Sequence, residues 1–177
     1  MVYGNVDEVE LVLNGKTIRR QTADKGPDSD YIPVPNGGNG KNLHFPPFTF
    51  YGVPKERGVL KAVGYHQGKK VAEYTVKTPG VPERLDITYF ESGKPATKND
   101  LLIVYVRMLD KQGVLCPVNG IPVELSVQGG EIVGPTSYPL EAGVASFLVR
   151  TGEISKININ ATGKGFSTRK SLKVGKE

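Results

Sequence analysis

One stretch constrains the fold more than any other: residues 58–82, GVLKAVGYHQGKKVAEYTVKTPGVP. Two strand-like runs, 59–65 and 71–78, flank the polar turn His66-Gln67-Gly68-Lys69-Lys70. Lys61 and Glu73 fall among apolar neighbours, the pattern of a hairpin with one wet face. Pro79, Gly80 and Pro82 follow at once. Proline lacks the N–H that a ladder needs and restrains the residue before it, so this hairpin closes one unit. A new series of strands starts at Arg84-Leu85. The spacing predicts an all-β chain of two tandem immunoglobulin-like β-sandwich domains, residues 1–79 and 83–177, with a short stiff joint at 79–82.

Within the first half, Val9, Leu11 and Leu13 alternate with Glu8, Glu10 and Val12, as in a strand with one buried face. Asn14-Gly15 is a strong hairpin signal, because a type I′ turn needs positive φ at both central positions. Residues 17–21 form the expected return strand. From 23 to 42 the periodicity dissolves into a long Gly/Pro loop. Asp28-Ser29-Asp30 lies in it and lacks the further oxygens of a calcium loop, so it reads as a polar turn. Residues 43–53, LHFPPFTFYGV, form an aromatic centre. Phe48 and Phe50 share one strand face and are expected in the core. Tyr51 points to the other face and is the candidate for an exposed sugar contact.

In the second half, Leu85, Ile87 and Tyr89 alternate with polar residues. The run 101–109, LLIVYVRML, is the most apolar in the chain. Its length and β-branched content predict a central sandwich strand. Further strands are expected at 121–128, 131–133, 143–150, 154–161 and 167–174, about seven in all, with Gly-rich turns between them. No stretch offers a 3.6-residue period with helix caps. The 22 Gly and 13 Pro, 35 of 177 residues, agree with a turn-rich β chain.

Charge excludes little but ranks the options. The formal net charge is +5, from 23 basic and 18 acidic residues spread over both halves. There is no basic stripe with interleaved exposed aromatics, so nucleic acid is not the expected partner. Edge lysines that discourage sheet-to-sheet pairing account for the excess. No run reaches the apolar length of a membrane-spanning helix. The opening Met1-Val2-Tyr3 leads straight into a strand and reads as a segment cut from a longer chain.

No catalytic constellation stands out. Glycoside hydrolysis needs two carboxylates at a set separation. Glu8 and Glu10 share a strand face, which fits a solvated surface better. His44 and His66 are the only histidines, and Cys116 is the only cysteine. A zinc site would need both histidines with Cys116 or carboxylates from elsewhere, so no metal or cofactor is expected. Between Leu115 and Val118, Cys116 reads as a buried, inert thiol. Gly37-Gly38-Asn39-Gly40 opens no helix and reads as a loop. Asn160-Ala161-Thr162 matches a glycosylation sequon, a pattern common by chance.

Two passages carry a family resemblance: NVDEVELVLNGKTI, and then PPFTFYGVPKERGVLKAVGYHQGKKVAEYTVKTPGVPERLDI. They resemble the C-terminal accessory region of glycoside hydrolase family 2 enzymes, nearest to bacterial β-galactosidases of gut Bacteroidetes. The later LLIVYVRMLDKQGVLCPVNGIPVELSVQGGEIVG and GVASFLVRTGEISKININATGKG are similar to bacterial Ig-like modules at the ends of those enzymes. The resemblance implies a non-catalytic C-terminal piece of a β-galactosidase of carbohydrate metabolism, periplasmic or extracellular. Its implied partner is the catalytic barrel of the same polypeptide. The family's two catalytic glutamates lie in that barrel, so no position here inherits them. The resemblance also implies a first strand clipped relative to the family. The rival expectations are a carbohydrate-binding module that holds polysaccharide through Tyr51 and loop 23–42, and a cell-surface adhesin segment.

Overall fold

A computed structural model describes residues 1–24, 45–90 and 95–175. The described residues form strands, turns and irregular segments, with no helix among them. The chain divides into two units, Met1–Thr78 and Pro79–Glu177.

The first unit holds β1 (Glu8–Leu13), β2 (Lys16–Thr22), β3 (Val59–His66) and β4 (Lys69–Lys77). They form one antiparallel sheet in the order β2-β1-β3-β4. Alternation works in β1 as expected: Val9, Leu11 and Leu13 are buried, and the residues between them are half-buried. Asn14 and Gly15 take φ of 50° and 80°, the type I′ geometry whose twist matches that of the strands. The second hairpin differs from expectation. Its turn is only Gln67-Gly68, at φ of 49° and 76°, and His66, Lys69 and Lys70 belong to the strands. Nor is only one face of β4 wet, since all nine of its residues are exposed. Among the described residues the strand ends the sheet, with a neighbour on one side only. Phe48 is fully buried as expected, while Phe50 is half-buried, and the aromatic segment is not a strand. Its one ladder link is the bridge between Val2 and Phe48.

The second unit contains β5 (Pro82–Tyr89), β6 (Leu101–Asp110), β7 (Pro122–Gln128), β8 (Gly130–Ile132), β9 (Ser137–Pro139), β10 (Val144–Thr151), β11 (Lys156–Gly163) and β12 (Phe166–Lys173). Sheet β5-β6-β10-β8 and sheet β12-β11-β7-β9 enclose a single core between them. The apolar run of β6 is central, with Leu102, Val104, Val106 and Met108 turned inward against Val123, Phe147, Ile157 and Ile159. Burying such side chains is the main driving force, each contributing roughly 1.5–3 kcal/mol before entropy is counted. The short β9 has no counterpart among the strands expected from sequence. Three residues cannot show an alternation; the strand pairs with β7, and Tyr138 makes an edge-to-face contact with Phe147 at 5.4 Å. The strand expected from 154 begins instead at Lys156, and Ile154 is exposed.

Candidate functional site

The sequence singled out Tyr51. In the structure it lies within the aromatic segment, outside any strand, and is half-buried. That segment is strapped to the end of β2 by polar bonds. Thr49 donates from its hydroxyl to Asp24 Oδ2 at 2.6 Å and from its backbone to Oδ1 at 3.1 Å. Gln21 Nε2 donates to Thr49 O at 3.0 Å, and Asp24 N to Pro47 O at 2.8 Å. Among the described residues of this unit the more exposed rings are Tyr3, Phe45 and Tyr74. The other features singled out by the sequence, loop 23–42 beyond Asp24, the Asp28-Ser29-Asp30 turn, the glycine run 37–40 and His44, lie outside the described residues.

Glu8 and Glu10 share the outer face of the first sheet, and both are engaged there. Arg20 binds Glu8 at 2.6 Å and lies 3.8 Å above the Tyr65 ring. Glu10 accepts from Thr17 and from the Tyr65 hydroxyl, each at 2.6 Å. The Thr17 bond, then that of Tyr65, holds the Glu10 carboxyl below its ordinary range, and the same bond raises Tyr65. A general acid for glycoside cleavage needs the opposite shift, a carboxyl kept protonated near neutrality. Farther along the face, Glu73 binds Lys70 at 2.6 Å and Lys61 at 3.5 Å. This is a self-neutralised surface, which sequence reasoning caught in outline without seeing Arg20 or Tyr65.

His66 pairs with Asp7 at 3.1 Å beside the hairpin turn, where Asp7 also accepts from Gln67 N at 2.7 Å. Cys116 belongs to the core of the second unit, where burial and the nearby Asp110 raise its thiol pKa. His66 and Cys116 belong to different units. Among the described residues no cluster of three or more His, Cys, Asp or Glu could hold a metal ion.

The two outer faces of the second unit are unlike. On the β5-β6-β10-β8 side an apolar row crosses the sheet. Phe90 N bonds to Ile103 O, Ile103 opposes Leu148, and Val133 N bonds to Leu148 O. Phe90 is 60% exposed, Ile103 44%, Val133 37%, and Leu101 beside them 51%. Ion pairs flank the row: Asp86 with Arg107, and Glu131 with Arg150. The opposite face carries amides and hydroxyls in register. Asn158 lies between Gln128 and Ser171, Asn160 between Ser126 and Arg169, and Thr162 between Glu124 and Ser167. The sequon residue Asn160 is thus in mid-strand. An open groove of about 520 Å³ at one end is lined by Asn99, Glu131, Arg150 and Glu153 among others. Its charges are matched internally, with Asn99 and Lys98 both held by Glu153.

Residues 1–72 match the family model described as a domain of unknown function, DUF4982. A β-galactosidase of Thermoanaerobacter pseudethanolicus is 29% identical over 163 residues, covering 85% of this chain and 20% of that protein. A β-galactosidase of Rhizobium radiobacter is 30% identical over 129 residues, covering 72% of this chain and 92% of that one. Among solved structures, a β-glucuronidase from glycoside hydrolase family 2 superposes with a TM-score of 0.74 at 22% identity, over 98% of this chain and 18% of its own. That last likeness establishes the fold. The chain thus spans about a fifth of the length of the Thermoanaerobacter relative.

Proposed function

The chain belongs to glycoside hydrolase family 2, as part of the C-terminal region of such an enzyme, and from that premise we propose that it is a non-catalytic segment packing against its parent protein. The carrying observation is the unlike pair of outer faces in the second unit. A polar face is stable in water, whereas a contiguous apolar row is the usual mark of an interaction surface. Because the Thermoanaerobacter relative is about five times longer than the part matched, most of a polypeptide is available as partner. In this reading the partner is the catalytic barrel, and the parent is a β-galactosidase acting on carbohydrate in the periplasm or outside the cell. Glu8 and Glu10 serve surface stability rather than bond cleavage.

The test places Phe90→Lys and Ile103→Lys together in the longer gene product and in this chain alone. A parent whose melting temperature falls by several degrees, while the isolated chain is unaffected, supports the packing role. A parent indifferent to both substitutions, or a coding sequence with no catalytic barrel upstream, overturns it.

A second role, sugar contact through Tyr51, is favoured by that residue's being only half-buried. Tyr51→Ala then weakens retention in polysaccharide affinity gels without lowering the melting temperature. Wild-type protein that is not retained at all ends this reading.

A further inference from the structure

The outer edge of β4 is an unusual feature of the first unit. Among the described residues β4 pairs with β3 on one side and with no strand on the other. It is nine residues long and exposed throughout, and it carries Val71 at 55%, Tyr74 at 73% and Val76 at 45% exposure. A long exposed edge with apolar side chains is a template for another strand.

The ladder shows which backbone groups face out. Asn14 N donates to Val59 O, and Thr78 N donates to Gly58 O. Val59 therefore turns toward β1, and its neighbours alternate. With Leu60 opposite Val76, Ala62 opposite Tyr74 and Gly64 opposite Ala72, those residues carry the β3–β4 bonds. Glu73, Thr75 and Lys77 are left with their N–H and C=O groups aimed at the free edge.

We propose that β4 pairs antiparallel with β4 of a second copy of this chain, about a two-fold axis through Thr75. In that register Glu73 opposes the partner's Lys77, and Lys77 opposes the partner's Glu73. Thr75 opposes the partner's Thr75. On the other face Tyr74 opposes the partner's Val76, and Val76 the partner's Tyr74. Opposite charges, paired threonines and aromatic with β-branched residues are the favoured cross-strand pairs. Moving the axis to Glu73 sets two carboxylates against each other, a disfavoured arrangement. Lys69, Lys70 and Lys77 guard the strand against indiscriminate pairing. Glu73 between them converts that guard into a choice of register. Its carboxylate, already held by Lys70 at 2.6 Å and Lys61 at 3.5 Å, gains a third cation. One added strand pair buries less surface than a permanent dimer does, so the association is weak and reversible, micromolar or looser.

Analytical ultracentrifugation of the whole chain over a concentration series tests this. A reversible monomer–dimer equilibrium is expected. Thr75→Pro abolishes it with the fold intact, because the Thr75 N–H faces outward and proline removes no bond to β3. Glu73→Lys weakens the dimer by about tenfold, since two attractive pairs become repulsive. Adding Lys77→Glu to Glu73→Lys restores affinity to within about threefold of wild type, which no purely structural role of either residue would do. A chain that stays monomeric up to ~1 mM, far above the micromolar range of specific pairing, overturns the proposal. So does a dimer indifferent to Thr75→Pro, or a double variant that pairs no better than Glu73→Lys. If Thr75→Pro disturbs folding, the charge exchange alone decides.

Discussion

The carboxamide of Asn14 fills the space above Gly58: a Cβ on Gly58 would lie 1.8 Å from Asn14 Oδ1. That amide clamps the first hairpin to the start of β3. Its Oδ1 accepts from Val59 N at 2.9 Å, and its Nδ2 donates to Arg57 O at 3.1 Å. Gly58 also has φ of 144°, a conformation nearly closed to residues with a side chain. Gly58→Ala is therefore expected to destabilise the first unit by about 2–4 kcal/mol, from strain and the displaced amide together. Asn14→Gly keeps the turn but loses both bonds, at about 1–2 kcal/mol. The double variant costs less than the sum, because the methyl has already expelled the amide. Urea titrations of the three variants measure this.

Asp110 ends β6 as a buried carboxylate gathering backbone donors. Gly80 N lies 2.7 Å away, Val114 N 2.8 Å and Gln112 N 2.9 Å. The Gly80 bond leads the causes that hold its pKa below the ordinary carboxylate value. A folded pKa below the unfolded one means the stabilisation is fully present above about pH 4 and is lost as pH falls through the folded value. Asp110→Asn is thus expected to lower the melting temperature of the second unit at neutral pH. Its deficit relative to wild type shrinks at about pH 3, below the ordinary aspartate value, where part of the carboxylate's stabilisation is gone. Thermal melts at both pH values check the convergence; an equal deficit at both contradicts it.

Cys116 is 2% exposed, and its thiol pKa is raised by burial and by Asp110. A thiol in that state is a poor nucleophile. An aromatic disulfide reagent at neutral pH is expected to leave it unmodified in the folded chain and to react fully in denaturant. Rapid reaction of the native protein would show that the β6–β7 connection opens far more readily than its packing implies.

How much was legible depended on how local each signal is. The Asn14-Gly15 turn, the β1 alternation and the central strand β6 were readable because period and turn chemistry act within a few residues. The Gln67-Gly68 turn was drawn too wide because the lysines beside it look like loop. Nothing local marks Lys69 and Lys70 as ladder residues; the pairing of β3 does. β9 is too short to carry a pattern, and its place is set by pairing with β7 and by Tyr138 meeting Phe147 from a distant strand. On the acidic face, Glu8 and Glu10 were seen as a solvated pair. Arg20 and Tyr65, which bind them, come from neighbouring strands at a register that sequence does not display. Tyr51 was expected to stand clear because it follows Phe50, yet that expectation needed a strand, and the Asp24 and Gln21 strap makes the segment something else.

The most direct measurement is hydrolysis of an aryl β-galactoside by two purified proteins, this chain and the full product of its gene. The expected result is turnover by the longer protein and none above buffer by this chain. Turnover by the chain alone, or none by the longer protein, would contradict the proposal that it is the non-catalytic C-terminal part of a family 2 β-galactosidase.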